Sequence, residues 1–228
     1  MTAPQFTGAD VKRGVYKMKK DVAFRAYVTN LGMYNEGQLV GTWVDFPIMH
    51  DRDIDVKAAI DEMLCRIGID GKIYEEYFIT DYDSDIKGLT DCLGEYENMI
   101  FLHYLASKIQ EMDCSIEQFE SMVEYGNMTG NVTELINLTD NTECFYFIPD
   151  VTNDYDLGYE YAENSGLFTE ALKSLGSLAN YIDYESYGRD IRLEENGIHT
   201  QNGYISLTDN IRIVFEGSID EIPEMYLQ

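Results

Sequence analysis

The chain is short of basic charge in its middle. From Ile109 to Leu172 there is no Lys or Arg in 64 consecutive residues, while the same stretch holds 14 Asp or Glu. Ordinary surfaces interleave both signs, because a single-sign field repels itself and destabilises the compact state. Other absences narrow the class. No uncharged apolar run reaches the roughly 18 residues of a membrane-crossing helix, and the basic N-terminus lacks the apolar segment of a secretory leader. A soluble, cytoplasmic chain is expected, in which the Asn-x-Thr triplets at Asn127, Asn131 and Asn137 carry no sugar. The four cysteines, Cys65, Cys92, Cys114 and Cys144, form no CxxC pair. Reduced, buried thiols are expected rather than disulfides or zinc ligands.

Catalytic signatures are missing as well. There is no Walker loop, no GxSxG and no GxGxxG with a suitably spaced acid. The three histidines, His50, His103 and His199, stand isolated, and His103 falls within an apolar helical stripe. Asp81, Asp83 and Asp85 have the spacing of the first three ligands of a calcium loop. Ile86 stands where that loop needs Gly, and Cys92 where it needs a bidentate Glu. Carboxylate pairs suited to acid–base work arise by chance in so acidic a chain, so they do not indicate a glycosidase. The expectation is a protein that is not an enzyme, with no cofactor and no metal.

What is present is enough to fold: 228 residues, 45% apolar and 13% aromatic. The net charge of −26 comes from 42 acids against 16 bases, yet Lys12, Arg13, Lys17, Lys19 and Lys20 all lie in the first 20 residues. From Asp21 onward 41 acids face 11 bases, a net −30. That charge argues against direct nucleic-acid binding by the body. Residues 1–22 read as a mobile basic arm.

Periodicity and turn chemistry predict an α+β chain. Phe24 to Leu31 and Leu39 to Phe46 form a hairpin about Asn35-Glu36-Gly37. Asp51 or Asp53 then caps a helix running to Gly68, and a strand follows at Ile73 to Thr80. Apolar stripes at Tyr96 to Met112 and Ile116 to Val123, with Val132 to Leu138, predict short helices. Cys144 to Ile148 reads as a strand and Asp154 to Asn164 as a helix stopped by Gly166. Ser177 to Tyr187 reads as a helix ended by Gly188. Short strands are expected within Asp190 to Leu207 and at Ile211 to Phe215, then a frayed acidic tail from Asp220 to Gln228.

Two of these helices carry acid in rows. Glu117, Glu120 and Glu124 are spaced i, i+3, i+7, and Asp156, Glu160 and Glu163 i, i+4, i+7. Each like-charge neighbour costs about 0.2–0.5 kcal/mol, a cost that selection for stability alone would have removed with Lys. DNA carries one charge per about 1.7 Å of axis, so about 30 excess negatives would match about 50 Å of duplex, or about 15 base pairs. Such a body would replace phosphates in the basic channel of a DNA-binding protein. A salt-adapted cytosol also selects acid, but spreads it evenly, whereas here it is concentrated. An acidic regulator that sequesters a nucleoid or transcription factor would use the same surface, and that alternative stays open.

Three segments carry a family resemblance. Ala26 to Trp43, AYVTNLGMYNEGQLVGTW, resembles the opening strand, Tyr-Asn-x-Gly turn and Gly-x-Trp strand of ArdA-type antirestriction proteins. Tyr74 to Tyr82, YEEYFITDY, is similar to the family's third strand, and Leu178 to Asp190, LANYIDYESYGRD, to its C-terminal helix and exit. Leu157 to Gly166 matches the family's short antirestriction motif loosely. The resemblance spans Ala26 to about Leu207. It implies an elongated, three-part α+β chain: an α+β unit at 23–85, a helical unit at 86–142 and a second, dimerising α+β unit at 143–207. Residues 1–22 and 208–228 lie outside the usual family length.

The resemblance further implies a homodimer that mimics bent B-form DNA and blocks type I restriction–modification enzymes at their methyltransferase and specificity core. Such proteins are carried by plasmids, transposons or phages in a bacterial host. The expected mimic surface comprises Glu75, Glu76, Asp81, Asp83, Asp85, Asp91, Glu95, Glu97, Glu111, Asp113, Glu117, Glu120, Glu124, Asp154, Asp156, Glu160, Glu163 and Glu170. Tyr181, Tyr184 and Tyr187 are the expected dimer contacts. Neither direct nucleic-acid binding nor membrane association is expected.

Overall fold

A computed structural model describes residues 22–49, 55–164 and 166–228. The basic arm, His50 and the helix caps expected at Asp51 and Asp53 therefore lie outside the described residues. The fold is α+β, with two three-stranded antiparallel sheets joined by helices. In the first sheet β1 (Phe24–Asn30) is central, flanked by β2 (Gly41–Phe46) and β3 (Tyr77–Asp83). Phe24, Ala26 and Val28 alternate into the core, while Arg25 and Tyr27 face outward opposite Asp45 and Trp43 of β2. β1 and β2 form the expected antiparallel hairpin, whose connection contains a short helix, α1 (Leu31–Asn35), ahead of Gly37 at φ +85°. The Asn30 carboxamide caps that helix through the Met33 N–H at 3.0 Å, ending the strand.

Side-chain caps also start the longer helices. Asp55, rather than the expected Asp51 or Asp53, caps α2 (Val56–Arg66), Asn98 caps α3 (Met99–Glu111), Ser115 α4 (Ile116–Tyr125) and Asn131 α5 (Val132–Thr139). Gly126, at φ +81°, terminates α4 in the left-handed conformation that a Cβ would oppose. One contiguous core runs from Phe24 and Phe46 through Leu102, Phe119 and Leu135 to Phe145 and Ile205. Phe145 and Ile205 belong to the second sheet, in which β6 (Gly203–Leu207) lies between β4 (Phe145–Pro149) and β5 (Ile198–His199).

The C-terminal half departs from the sequence expectations. The helix α6 (Asp154–Asn164) has the expected bounds, but Gly166 opens a further helix, α7 (Gly166–Leu175), that the sequence did not suggest. The helix expected at Ser177 to Tyr187 is divided. Gly176–Tyr181 forms a 3₁₀ segment and α8 spans Tyr184–Glu194, capped by Asp183. Gly188 sits within α8 because α6 and α8 cross there almost backbone to backbone. A Cβ on Gly188 would collide with the Asp154 carbonyl oxygen, and one on Gly158 with that of Tyr184. The glycine is selected by packing, and α8 occupies residues 190–194 where short strands were expected.

Residues 211–215 do not join a sheet. They are held by two buried carboxamides on α5 and its exit. Asn137 Oδ1 accepts from the Val214 and Phe215 N–H groups at 2.7 and 2.9 Å, and its Nδ2 donates to the Phe215 carbonyl at 2.8 Å. Asn141 does the same for Arg212, at 2.8 and 2.9 Å. These amides substitute for the missing neighbouring strand, satisfying backbone that would otherwise be stranded near the core. Nor does the terminus fray. Ile222 is buried, Tyr226 packs on Tyr104, and the Leu227 carbonyl accepts the Val56 N–H at 3.1 Å, so the last residues form a strap across α3 to the start of α2.

Candidate acidic interaction surface

The third strand and the segment after it gather the first group of carboxylates. Asp81 projects from β3, and it lines a shallow hollow with Asp91, Glu95 and Tyr82. Asp91 also borders a second hollow, of about 410 Å³, with Glu124 of α4 and the Gln201–Asn202 turn. Asp91 thus links the strand's acids to the helix's acids across the molecule's surface. Asp81, Asp85, Asp91, Glu95, Asp113, Glu117 and Glu124 are exposed, as are Glu75 and Glu76 before β3. None of these has an ion-pair partner among the described residues.

Other residues expected on this surface have structural partners. Asp83 is held by Arg25 through both Nε and a terminal nitrogen, at 2.9 and 2.5 Å, and that guanidinium also stacks 4.7 Å above Trp43. Glu97 accepts the Gly94 N–H, Glu111 accepts the Tyr226 hydroxyl, and Glu170 lies 3.4 Å from Lys173. Glu120 interrupts its helical row: it is only 9% exposed, with one oxygen on the Lys87 N–H and the other on Asn202. Exposed acid on α4 is therefore Glu117 and Glu124.

Asp154 departs furthest from the expected role. It receives a bidentate pair from Arg192, at 2.7 and 3.0 Å, and the His199 Nε2 at 2.8 Å. The Arg192 hydrogen bonds, joined by His199, hold its carboxyl at about 2, and Asp154 in turn raises Arg192. This cluster ties α6 to α8 and β5, so His199 is not isolated as the sequence suggested. The α6 row keeps Asp156 and Glu160, half-exposed, and Glu163, exposed. Asn153 supplies the helix cap through the Asp156 N–H at 2.9 Å and also donates to the Asp156 carboxylate at 2.6 Å.

Two further groups escaped sequence reasoning. Glu195 accepts from Tyr161, Tyr204 and Ser206 at 2.7, 2.9 and 3.3 Å, and burial first, then this carboxylate, pushes both phenols well above their ordinary range. Asn137 and Asn141 are the second group; two amides spaced i, i+4, one on α5 and one just past its end, were the available signal. His103, in contrast, sits within its apolar stripe as the sequence placed it: it is buried, its Nδ1 accepting the Ile48 N–H at 2.9 Å. Of the thiols, Cys144 is buried, Cys92 and Cys114 half-buried and Cys65 exposed, so the expectation of four buried thiols fails at Cys65. Desolvation raises Cys114 to about 11, which removes thiolate reactivity near neutral pH. No group of His, Cys, Asp and Glu among the described residues is arranged to hold a metal, and no described helix is long and apolar enough to cross a membrane.

The expected dimer tyrosines are placed unequally. Tyr181 is 84% exposed beside exposed Leu178, whereas Tyr184 is half-buried against the edges of Tyr155 and Tyr159. Tyr187 packs on the small core of Ile148, Val151, Leu157, Ile191 and Tyr204.

The two small sheets and the helices between them thus display carboxylates without ion-pair partners on strand, loop and helix. The chain belongs to the ArdA family: the profile described as antirestriction protein (ArdA) matches residues 26–206. Members of that family are inhibitors rather than enzymes, and membership carries an antirestriction function directed at restriction–modification enzymes. No curated protein matches the chain.

Proposed function

We propose that this protein is a DNA mimic that enters the DNA-binding channel of a type I restriction–modification enzyme. It occupies the methyltransferase and specificity core and competes with DNA, suppressing restriction and modification together. The observation that carries this reading is the unpaired acid running from Asp81 through Asp91 and Glu95 to Glu124. On α4, Glu117 and Glu124 at i, i+7 are about 10.5 Å apart along the axis, while Asp81 is the β3 acid without an ion pair, since Asp83 is held by Arg25. That helical spacing places carboxylates within the range of phosphate contacts made by a basic channel. Fixed on a strand, its following loop and a capped helix, the acids meet their partner's cations with little ordering cost.

The protein acts as a homodimer in this proposal, which doubles the length of acid available. Tyr181, Leu178 and Leu193, all exposed, supply apolar surface for that contact, together with the half-buried Tyr184 and Tyr187. The test is displacement of a fluorescent DNA from purified type I methyltransferase, with sedimentation reporting the oligomer. Stoichiometric displacement by a dimer supports the proposal. Failure to displace at low salt overturns the mimicry, and a monomer at the inhibitory concentration overturns the dimer.

A further inference from the structure

We propose that Glu120 is a positioning residue, a joint that sets the relative orientation of the two acidic groups rather than a phosphate-like charge. The inference rests on the mimic reading. Its carboxylate lies between two elements remote in sequence. Oε1 accepts the Lys87 N–H at 2.9 Å, fixing the chain just after β3, and Oε2 accepts Asn202 Nδ2 at 2.8 Å, fixing the β5–β6 turn. Asn202 Nδ2 also reaches the Glu117 carbonyl at 3.2 Å. At the very next residue, Ser121 Oγ and Thr200 Oγ1 meet at 2.8 Å, and Thr200 Oγ1 organises its own turn by donating to the Gly203 carbonyl at 2.9 Å. From the other side Lys87 Nζ donates to Gln201 Oε1 at 3.3 Å.

The joint therefore ties strand exit, central helix and second sheet at one carboxylate. Either oxygen alone would hold only one flank. With both occupied by N–H donors, the acids of β3 and its following loop are held in fixed relation to those of α4 and the C-terminal unit. A rigid channel tolerates little error in that relation, because misplacing one group of charges sacrifices its ion pairs without relieving the other.

The polarity of the contact gives a test that separates joint from charge. Glu120→Gln removes one negative charge and presents an N–H₂ to a donor. Asn202→Asp adds one negative charge and sets two carboxylates face to face. If Glu120 served as surface charge, the first change would weaken inhibition and the second would not. As a joint, both single variants weaken DNA displacement about tenfold. The double variant restores it to within about twofold, because the amide introduced on α4 then donates to the carboxylate introduced in the turn while still accepting from the Lys87 N–H.

Small-angle scattering of the purified chains reads the same joint without the enzyme. Both single variants should show a changed profile and the double variant the wild-type one. Circular dichroism identifies a variant that has not folded, in which case Asn202→Ala, which removes only the turn's donor, replaces it. Wild-type scattering from both single variants overturns the joint even if DNA displacement succeeds. Full inhibition by Asn202→Asp, or a double variant as weak as the singles, overturns it equally. A wild-type protein that fails to displace DNA sinks the mimic reading instead, and the scattering still decides the joint.

Discussion

Asp154 shows how one acidic residue can stand among surface charges in sequence and among structural groups in space. Its folded carboxyl titrates at about 2, below the ordinary 3.8. A depressed acid contributes its stability in full above about pH 4 and loses it as pH falls through about 2. Asp154→Asn is expected to cost about 2 kcal/mol at neutral pH, the worth of charge-assisted hydrogen bonds. Urea unfolding of wild type and variant should show that difference shrinking between pH 4 and pH 2; a constant difference would exclude the Arg192–His199 pairing as its source. Spacing could not separate Asp154 from Asp156, because its partners, Arg192 and His199, lie 38 and 45 residues away in sequence. Glu120 was obscured for the same reason. Its row on α4 is readable, but the Lys87 and Asn202 donors come from separate elements, so the sequence shows a stripe and the fold removes its middle member. Exposed Glu117 and Glu124, by contrast, follow directly from the periodicity of the apolar face.

Element identity was legible wherever local chemistry and packing agree. The α2, α4 and α6 helices have an Asx or Ser cap in front and a periodic apolar face behind, and they lie close to where that pattern puts them. The errors cluster where a residue usually read as punctuation serves tertiary contact. Gly188 reads as a helix stop yet lies inside α8 to let α6 approach. Gly188→Ala should therefore destabilise by about 3 kcal/mol, the upper range for forcing atoms into a close-packed contact, whereas helix propensity alone would stabilise it by about 1 kcal/mol. Thermal unfolding decides between the two signs. The 211–215 segment fails differently: its β-branched residues look like a strand, but the backbone pairs with Asn137 and Asn141 side chains. Asn137→Ala leaves several near-core amide and carbonyl groups unpaired and should cost about 3 kcal/mol. Hydrogen exchange at Val214 and Phe215 should rise with it, and unchanged protection there would refute the ladder.

At the scale of the molecule, charge is the property that sequence displays best and geometry the property it hides. Net charge and the 64-residue gap in Lys and Arg are countable directly. The continuity of acid from Asp81 past Asp91 to Glu124 depends on the strand exit, α4 and the 201–202 turn meeting at one place. Distributed charge should also behave collectively. Reversing Asp91, Glu117 and Glu124 together is expected to weaken inhibition by more than about a hundredfold, at roughly 1 kcal/mol for each exposed pair lost. Each single reversal should cost only several-fold in the same displacement titration. The most direct measurement of the central claim is the salt dependence of binding to a purified type I methyltransferase, with DNA as competitor. Displacement of counterions by a phosphate-like array predicts that the logarithm of affinity falls linearly and steeply with the logarithm of salt concentration, by several tenfold steps between about 50 mM and about 200 mM. DNA should then be displaced in proportion to the protein added. An affinity that stays constant across that salt range, or tight binding that leaves the DNA in place, would contradict DNA mimicry.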